Sequence, residues 1–305
     1  MGRMEGLKMK RIEKAIIPVA GFGTRFLPVT KSQPKEMLPI IDRPAVQYIV
    51  EEAVNAGIKK IIFVTARGKH SIENYFDQAP ELENLLKKQK KNKYLRTIKE
   101  LSSLADFCYL RQNEPRGDGD AIYQAASSFL AKDEPAIVLF GDDIIKGPTP
   151  VKDLIKNYNK VKAPIVALYE VPKEEIHRYG IAEGKFKEKR LLKIDKFIEK
   201  PKEKQTKSRL AAIGKYVITP DVIKELKNNI EKSTNKDEIR LSDAFVSLLK
   251  KKKSLYGLVV KGERFDCGNK FGLLKASIEY GLEHPEIKDE LKKYLLDKSN
   301  NFKSD

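Results

Sequence analysis

Four prolines, at positions 18, 28, 34 and 39, crowd into Lys14–Pro39, KAIIPVAGFGTRFLPVTKSQPKEMLP. Proline removes an amide donor, fixes φ and drives the residue before it out of the helical region. The stretch after the first proline therefore cannot become a helix. It opens with an apolar run, Ala15–Ala20, that reads as a buried strand, and Gly21, Gly23, Thr24 and Arg25 follow at once. A strand thus empties into a glycine-rich loop. Such a loop lets backbone N–H groups approach phosphate oxygens, and Arg25, Lys31 and Lys35 add charge. The plainer alternative is a surface turn with ordinary basic residues. The spacing of the two glycines, the arginine and the Pro34-Lys35-Glu36 triplet favours the phosphate reading.

This is neither of the two commonest phosphate loops. There is no GxxxxGK[ST], and GFGTRF lacks the third glycine of GxGxxG, with prolines where a helix would start.

The rest of the chain alternates strand and helix. Lys14–Ala20, Lys60–Thr65, Phe107–Gln112 and Ala136–Phe140 read as apolar strands. Between them lie helices at Pro44–Ala56, His70–Phe76 and Glu81–Leu104, the last interrupted near Lys91–Lys93. Continuous apolar strands in that order predict a parallel sheet covered on both faces. Gly117–Gly119 reads as a loop and Ala121–Lys132 as a helix. Further on, Lys152–Asn159, Pro220–Asn229 and Leu241–Lys252 read as helices, and Pro164–Val171, Ala211–Thr219 and Leu255–Lys261 as strands. Gly180–Phe186 and Leu191–Glu199 alternate like a hairpin pair, and Phe271–Leu296 predicts two helices broken at His284-Pro285. The fold class is α/β, with a Rossmann-like, mixed and mostly parallel central sheet, a small β/helical part and C-terminal helices. Residues 1–13 read as a lead and 14–298 as one domain. Its parts are bounded at about 14–160, 161–268 and 269–298, the last holding the terminal helices.

Composition excludes several classes. The chain has 305 residues, 41% of them hydrophobic, enough for a sizeable core. No apolar run reaches the length of a membrane span. The first residues, MGRMEGLKMKR, have no hydrophobic signal core, which predicts a cytoplasmic protein. Cys108 and Cys267 stand outside any CxxC, and the three histidines do not fall at metal-ligand spacing. The net charge of +17 rests partly on lysine runs such as Lys87–Lys93, which read as solvated helix faces. No nucleic-acid motif accompanies the charge, so no specific nucleic acid is expected as a partner, nor a membrane.

Ligands in open α/β sheets lie beyond the carboxyl ends of the strands. Gly21–Arg25, Gln112–Gly119 and Asp142-Asp143 all follow strands in this way. A carboxylate such as Asp142 at the end of an apolar strand is costly unless paired or bound to a metal. Mg²⁺ prefers carboxylate oxygens together with substrate phosphates, so a nucleotide–Mg²⁺ complex would satisfy it. A turn cap is the alternative for Asp142.

Lys14–Pro39 resembles the signature of the sugar-nucleotide pyrophosphorylases, GxGTRxxPxTxxxPKxxLP. Ser71–Phe76, Arg111–Ala121, Phe197–Pro201 and Asp266–Lys270 also fit, and roughly residues 14–298 are similar to the UTP–glucose-1-phosphate uridylyltransferase branch. The resemblance implies Mg²⁺-dependent, in-line attack of glucose 1-phosphate on the α-phosphorus of UTP, giving UDP-glucose and pyrophosphate. It implies metal binding at Asp142 and Asp266. It puts Ala20, Gly21, Gly23, Thr24, Glu36, Gln112 and Gly117 at the nucleotide, with Arg25 on the leaving phosphates and Lys35 on the developing charge. It puts Asp143, Gly180, Glu199, Lys200 and Ile213 at the sugar phosphate, Lys200 gripping the phosphate itself. It also implies a homodimer or homotetramer built on the C-terminal helices. One departure stands out: GDGDA carries Asp118 and Asp120 where uridylyltransferases commonly show a small or apolar residue and a histidine. A relative using dTTP, ATP or GTP, and a non-catalytic sugar-nucleotide binder, are the competing readings.

Overall fold

The computed structural model describes residues 11–234 and 237–302. Of the expected lead at 1–13, residues 1–10 lie outside them, while Ile12 already packs in the core.

Strand β1 (Lys14–Pro18) opens the fold, and the proline-rich stretch after it forms three single 3₁₀ turns rather than a helix. A two-residue hairpin, β2 (Pro39–Ile40) and β3 (Arg43–Pro44), leads into helix α1 (Ala45–Asn55). Then come β4 (Lys60–Thr65), α2 (His70–Phe76), α3 (Pro80–Lys88), α4 (Asn92–Ser102), β5 (Asp106–Arg111), α5 (Asp118–Phe129), β6 (Ala136–Leu139) and β7 (Asp143–Lys146). The second half runs α6 (Pro150–Val161), β8 (Ile165–Glu170), β9 (Gly180–Phe186), β10 (Leu191–Glu199), β11 (Leu210–Ile218), α7 (Pro220–Lys232) and α8 (Leu241–Lys250). It ends with β12 (Tyr256–Val259), β13 (Glu263–Asp266), α9 (Lys270–Gly281) and α10 (Lys288–Phe302).

Nine strands form one sheet in the order β5-β4-β1-β6-β11-β8-β12-β10-β9. β5, β4, β1 and β6 are parallel, as the apolar strands predict. β11 and β10 run against their neighbours, so the sheet is mixed. β9 pairs with β11 as well as β10, which closes β11, β8, β12, β10 and β9 into a ring of pairings. That ring carries Glu199 and Gly180 round to the first half of the sheet.

The central strands β1, β4 and β6 are buried on both faces, which is why they lack polar alternation. Ala15 and Ile17 point to one core with Val46 and Ile49 of α1 and Leu154 of α6. Ile16 points to the other, with Ile122 of α5, Leu226 of α7 and Phe245 of α8. Each fully buried isoleucine or phenylalanine contributes roughly 1.5–3 kcal/mol.

Two local readings are corrected. Gly117–Gly119 is not a loop, because α5 already starts at Asp118. Gly117, at φ 103°, makes the turn, and Asp118 and Asp120 sit in the first turn, where the helix dipole favours acids. Within the helix, position 119 must be glycine, because a Cβ there would meet the Arg240 backbone at 2.8 Å. The second correction is a small sheet with no local signal. β7 pairs antiparallel with β13, and its register sets Asp143 opposite Asp266.

Candidate active site

Two adjoining cavities open where β1, β5 and β6 end. The first, about 500 Å³, is lined by Ala20, Gly21, Lys35, Glu36, Gln112, Gly117 and Asp142. The second, about 270 Å³, is lined by Arg25, Asp143, Gly180, Glu199, Lys200 and Asp266. Asp118, Phe140, Asp142 and Glu238 line both. Most of the expected nucleotide residues line the first chamber and most of the expected sugar residues the second; Arg25, expected on the leaving phosphates of the nucleotide, lines the second instead, and Asp142 lines both.

A partly buried charge cluster lines the first cavity. Lys35 Nζ donates to Asp142 Oδ2 at 2.5 Å and lies 3.9 Å from Glu36 Oε1. Burial works against the Lys35 ammonium, but Asp142 and Glu36 outweigh it and hold its pKa above the ordinary value. Burial pushes the Glu36 carboxyl up, and Lys35 and Lys69 only partly oppose this. Lys69 is a site residue with no signal in the sequence. Its ammonium is buried and donates to Gly21 O at 2.7 Å and Glu36 Oε2 at 3.2 Å. It ties the glycine loop to the PKE triplet.

Asp142 and Asp266 come together through the β7–β13 register and through Cys267 N–H, which donates to Asp142 O at 2.8 Å. Gly268 lies between them. A Cβ there would sit 2.5 Å from Asp142 Oδ2 and 3.0 Å from Asp266 Oδ1, so the two oxygens converge on one point that only glycine leaves open. Among the described residues, no group of three or more His, Cys, Asp or Glu could hold a metal unaided. Two hard carboxylates with space between them fit a cation that completes its shell with phosphate oxygens and water. Arg178, also unforeseen, lies 3.3 Å from Asp266 Oδ2, and Arg25 Nη1 donates to Gly268 O at 3.3 Å.

In the second cavity Lys200 follows the end of β10 with φ 47°, the left-handed region that costs a non-glycine residue roughly 1–3 kcal/mol. Its N–H donates to Tyr179 O at 3.0 Å. Gly180 is required there, since a Cβ would strike the Phe197 ring at 2.6 Å. Asp143 is spoken for by protein donors. Arg264 binds both its oxygens at 2.8 Å, and Gly214 N–H donates to Oδ2 at 3.1 Å. Burial would raise the Asp143 carboxyl, but Arg264 outweighs burial and holds it below the usual range. Asp118 goes the other way: burial, with Glu199 and Glu238 nearby, pushes it up to about 6 against the N–H groups of Leu241 and Gly119.

Three expected residues lie elsewhere. Ile213 is 1% exposed and packs in the core. Strand alternation turns its neighbours Ala212 and Gly214 to the cavity instead. Gly23 and Thr24 line neither cavity. Gly23 makes the turn at φ 64°, with its carbonyl held by Thr30 Oγ1 at 2.8 Å.

The family model for nucleotidyl transferases matches residues 14–283. The chain belongs to the nucleotidyl transferase family. Within that family it is similar to the UTP–glucose-1-phosphate uridylyltransferase of Bacillus subtilis (strain 168), with 42% identity covering 94% of this chain and 97% of the relative. The protein of the same name from Staphylococcus haemolyticus is 44% identical, covering 94% of this chain and 98% of its own. The UTP-bound UGPase from Acinetobacter baumannii superposes with a TM-score of 0.84 at 37% identity, covering 93% of this chain and 99% of that one. A UDP-glucose pyrophosphorylase complexed with UDP-glucose gives 0.78 at 36%, covering 90% and 100%. The nucleotidyl transferase fold, with its central sheet and flanking helices, is therefore that of this chain. No helix among the described residues is long and apolar enough to cross a membrane.

Proposed function

We infer that this enzyme transfers the uridylyl group of UTP to α-D-glucose 1-phosphate, forming UDP-glucose and pyrophosphate. The observation that carries the reading is the sharing of Asp142 by two cavities, one suited to a nucleotide and one to a sugar phosphate. The relatives of 42–44% identity support the choice of substrates.

A sugar 1-phosphate oxygen is already a nucleophile at neutral pH, so no general base is needed. The oxygen attacks the α-phosphorus in line, and the bond to the bridging oxygen breaks, with its electron pair leaving on pyrophosphate. The difficulty is to bring two polyanions together, which calls for positioning and charge neutralisation. Lys200 holds the attacking phosphate, Lys35 faces the developing charge and Arg25 faces the leaving phosphates. Glu199 and the open backbone at Gly180 take the sugar. Asp143 acts through Arg264 and Gly214. Ala20, Gly21, Glu36, Gln112 and Gly117 surround the base, with Lys69 bracing the first of these elements. Mg²⁺ held by Asp142 and Asp266 would neutralise charge on the departing pyrophosphate.

The same reading divides the domain into a nucleotide part near 14–160, a sugar part near 161–268 and terminal helices. It has the enzyme working in the cytoplasm as a homodimer or homotetramer through α9 and α10, whose Phe271 and Leu274 are exposed. A monomer mass by light scattering at micromolar concentration would remove the oligomer. The activity is tested by pyrophosphate release with UTP, dTTP, ATP and GTP, each crossed with several sugar 1-phosphates. UTP with glucose 1-phosphate should be the best pair. A preference of more than about tenfold for another nucleotide overturns the uridylyl assignment.

A further inference from the structure

We propose that Asp120 locks the Gln112 side-chain amide in one orientation, making Gln112 an acceptor-only reader of the base and favouring a pyrimidine with a ring N3–H. The proposal rests on the first cavity being the nucleotide site.

Gln112 and Asp120 are both buried, 4% and 5% exposed, so each must find its partners within the protein. Gln112 Nε2 donates to Asp120 Oδ2 at 2.6 Å and reaches Gly117 O at 3.4 Å. The same carboxylate oxygen accepts from Gln124 Nε2 at 2.7 Å. An ionised carboxylate can only accept, whereas an amide has a donor end and an acceptor end. Only the nitrogen end of Gln112 can face Asp120. A flipped amide would set Oε1 against the carboxylate and leave its own N–H groups without this partner.

Asp120 cannot easily move to accommodate a flip. It lies in the first turn of α5, where the helix dipole favours its charge. That turn is pinned by Gly119 N–H on Ile239 O at 2.9 Å and by Leu241 N–H on Asp118 Oδ1 at 3.0 Å. With Nε2 committed, Oε1 is the polar atom Gln112 has left for the cavity it lines. Uracil and cytosine have nearly the same shape. Uracil offers N3–H to that oxygen, whereas cytosine offers a lone pair, which repels it. An asparagine at 120 could present either end of its own amide and would leave Gln112 free to turn.

The test is calorimetric titration of the full-length chain with UTP and with CTP, without glucose 1-phosphate, so that binding is read apart from turnover. The wild type should bind UTP more tightly. Asp120→Asn should cut the ratio of UTP to CTP affinity by about tenfold, the effect of one mismatched buried acceptor. Asp120→Ser, whose hydroxyl can donate or accept, gives the same readout should the asparagine variant not fold. Gln124→Met removes the other donor and leaves the Gln112 contact, so its ratio should stay that of the wild type. A wild-type ratio in both Asp120 variants, at unchanged melting temperature, overturns the lock. So does a Gln124→Met ratio that falls as far as theirs. A wild type that binds neither nucleotide overturns the nucleotide reading of the cavity itself, a different result from either of these.

Discussion

Replacing Lys69 with methionine tests whether the glycine loop depends on a buried ion pair. Glu36 is 1% exposed and Lys69 7%, so the pair is dry. Removing one partner of a buried pair costs about 3–5 kcal/mol, because the remaining charge is left without compensation. Here the low end applies. Lys35 still lies 3.9 Å from Glu36, and Gly21 is exposed, so water can replace the lost donor to its carbonyl. A loss of about 3 kcal/mol, with an unfolding entropy near 2.1 cal/mol/K per residue over 305 residues, lowers Tm by about 5 °C. The sign with pH follows from Glu36. Burial already raises its folded pKa, and without Lys69 it rises further. A raised carboxyl lends stability below its unfolded pKa and loses it as pH rises through the folded value. The deficit of Lys69→Met should therefore be larger at pH 8 than at pH 5. Differential scanning calorimetry of wild type, Lys69→Met and Lys69→Met/Glu36→Gln reads all of this. The double variant should recover most of the loss, since it removes the stranded charge. A Tm change in the single variant under about 1 °C, or no recovery in the double variant, would refute the reasoning.

Three further outcomes are expected. Asp142→Asn and Asp266→Asn should each cripple turnover, and the double variant should cost little more, because residues acting as a unit are not additive; losses that multiply across a Mg²⁺ titration would separate the two aspartates. Lys200→Ala should raise the KM for glucose 1-phosphate by roughly ten- to a hundredfold, the value of one charge-assisted contact, while UTP affinity measured alone stays near wild type; equal losses on both substrates would move Lys200 to the nucleotide. Asp118, pushed up to about 6, destabilises the fold once ionised, so Asp118→Asn should raise Tm at pH 7.5 and leave it unchanged near pH 4; a lower Tm at pH 7.5 would show that its ionised bond to Leu241 N–H matters more.

Much of this protein follows from local pattern. The prolines and glycines of Lys14–Pro39 exclude a helix whatever the rest of the chain does, because steric limits on φ and ψ act within a few residues. The strands at Lys60–Thr65, Gly180–Phe186 and Leu191–Glu199 fall where their side-chain pattern puts them. The residues that the family resemblance assigns to a nucleotide and to a sugar are legible as motifs in the chain, and most of them line one cavity or the other. What the sequence leaves open depends on pairings between distant segments. The β7–β13 register that brings Asp143 opposite Asp266 has no trace in either four-residue stretch, since a strand so short carries too little pattern to name its partner. Lys69 is one lysine among many until the fold buries it between Gly21 and Glu36. Ile213 and its neighbours Ala212 and Gly214 are divided between core and cavity by which face of β11 is covered. Asp120 reads as part of a loop, and only the start of α5 beside Gln112 turns its charge into a hold on one amide. Local sterics and hydrophobic period are written along the chain, whereas burial and charge pairing arise when remote segments meet.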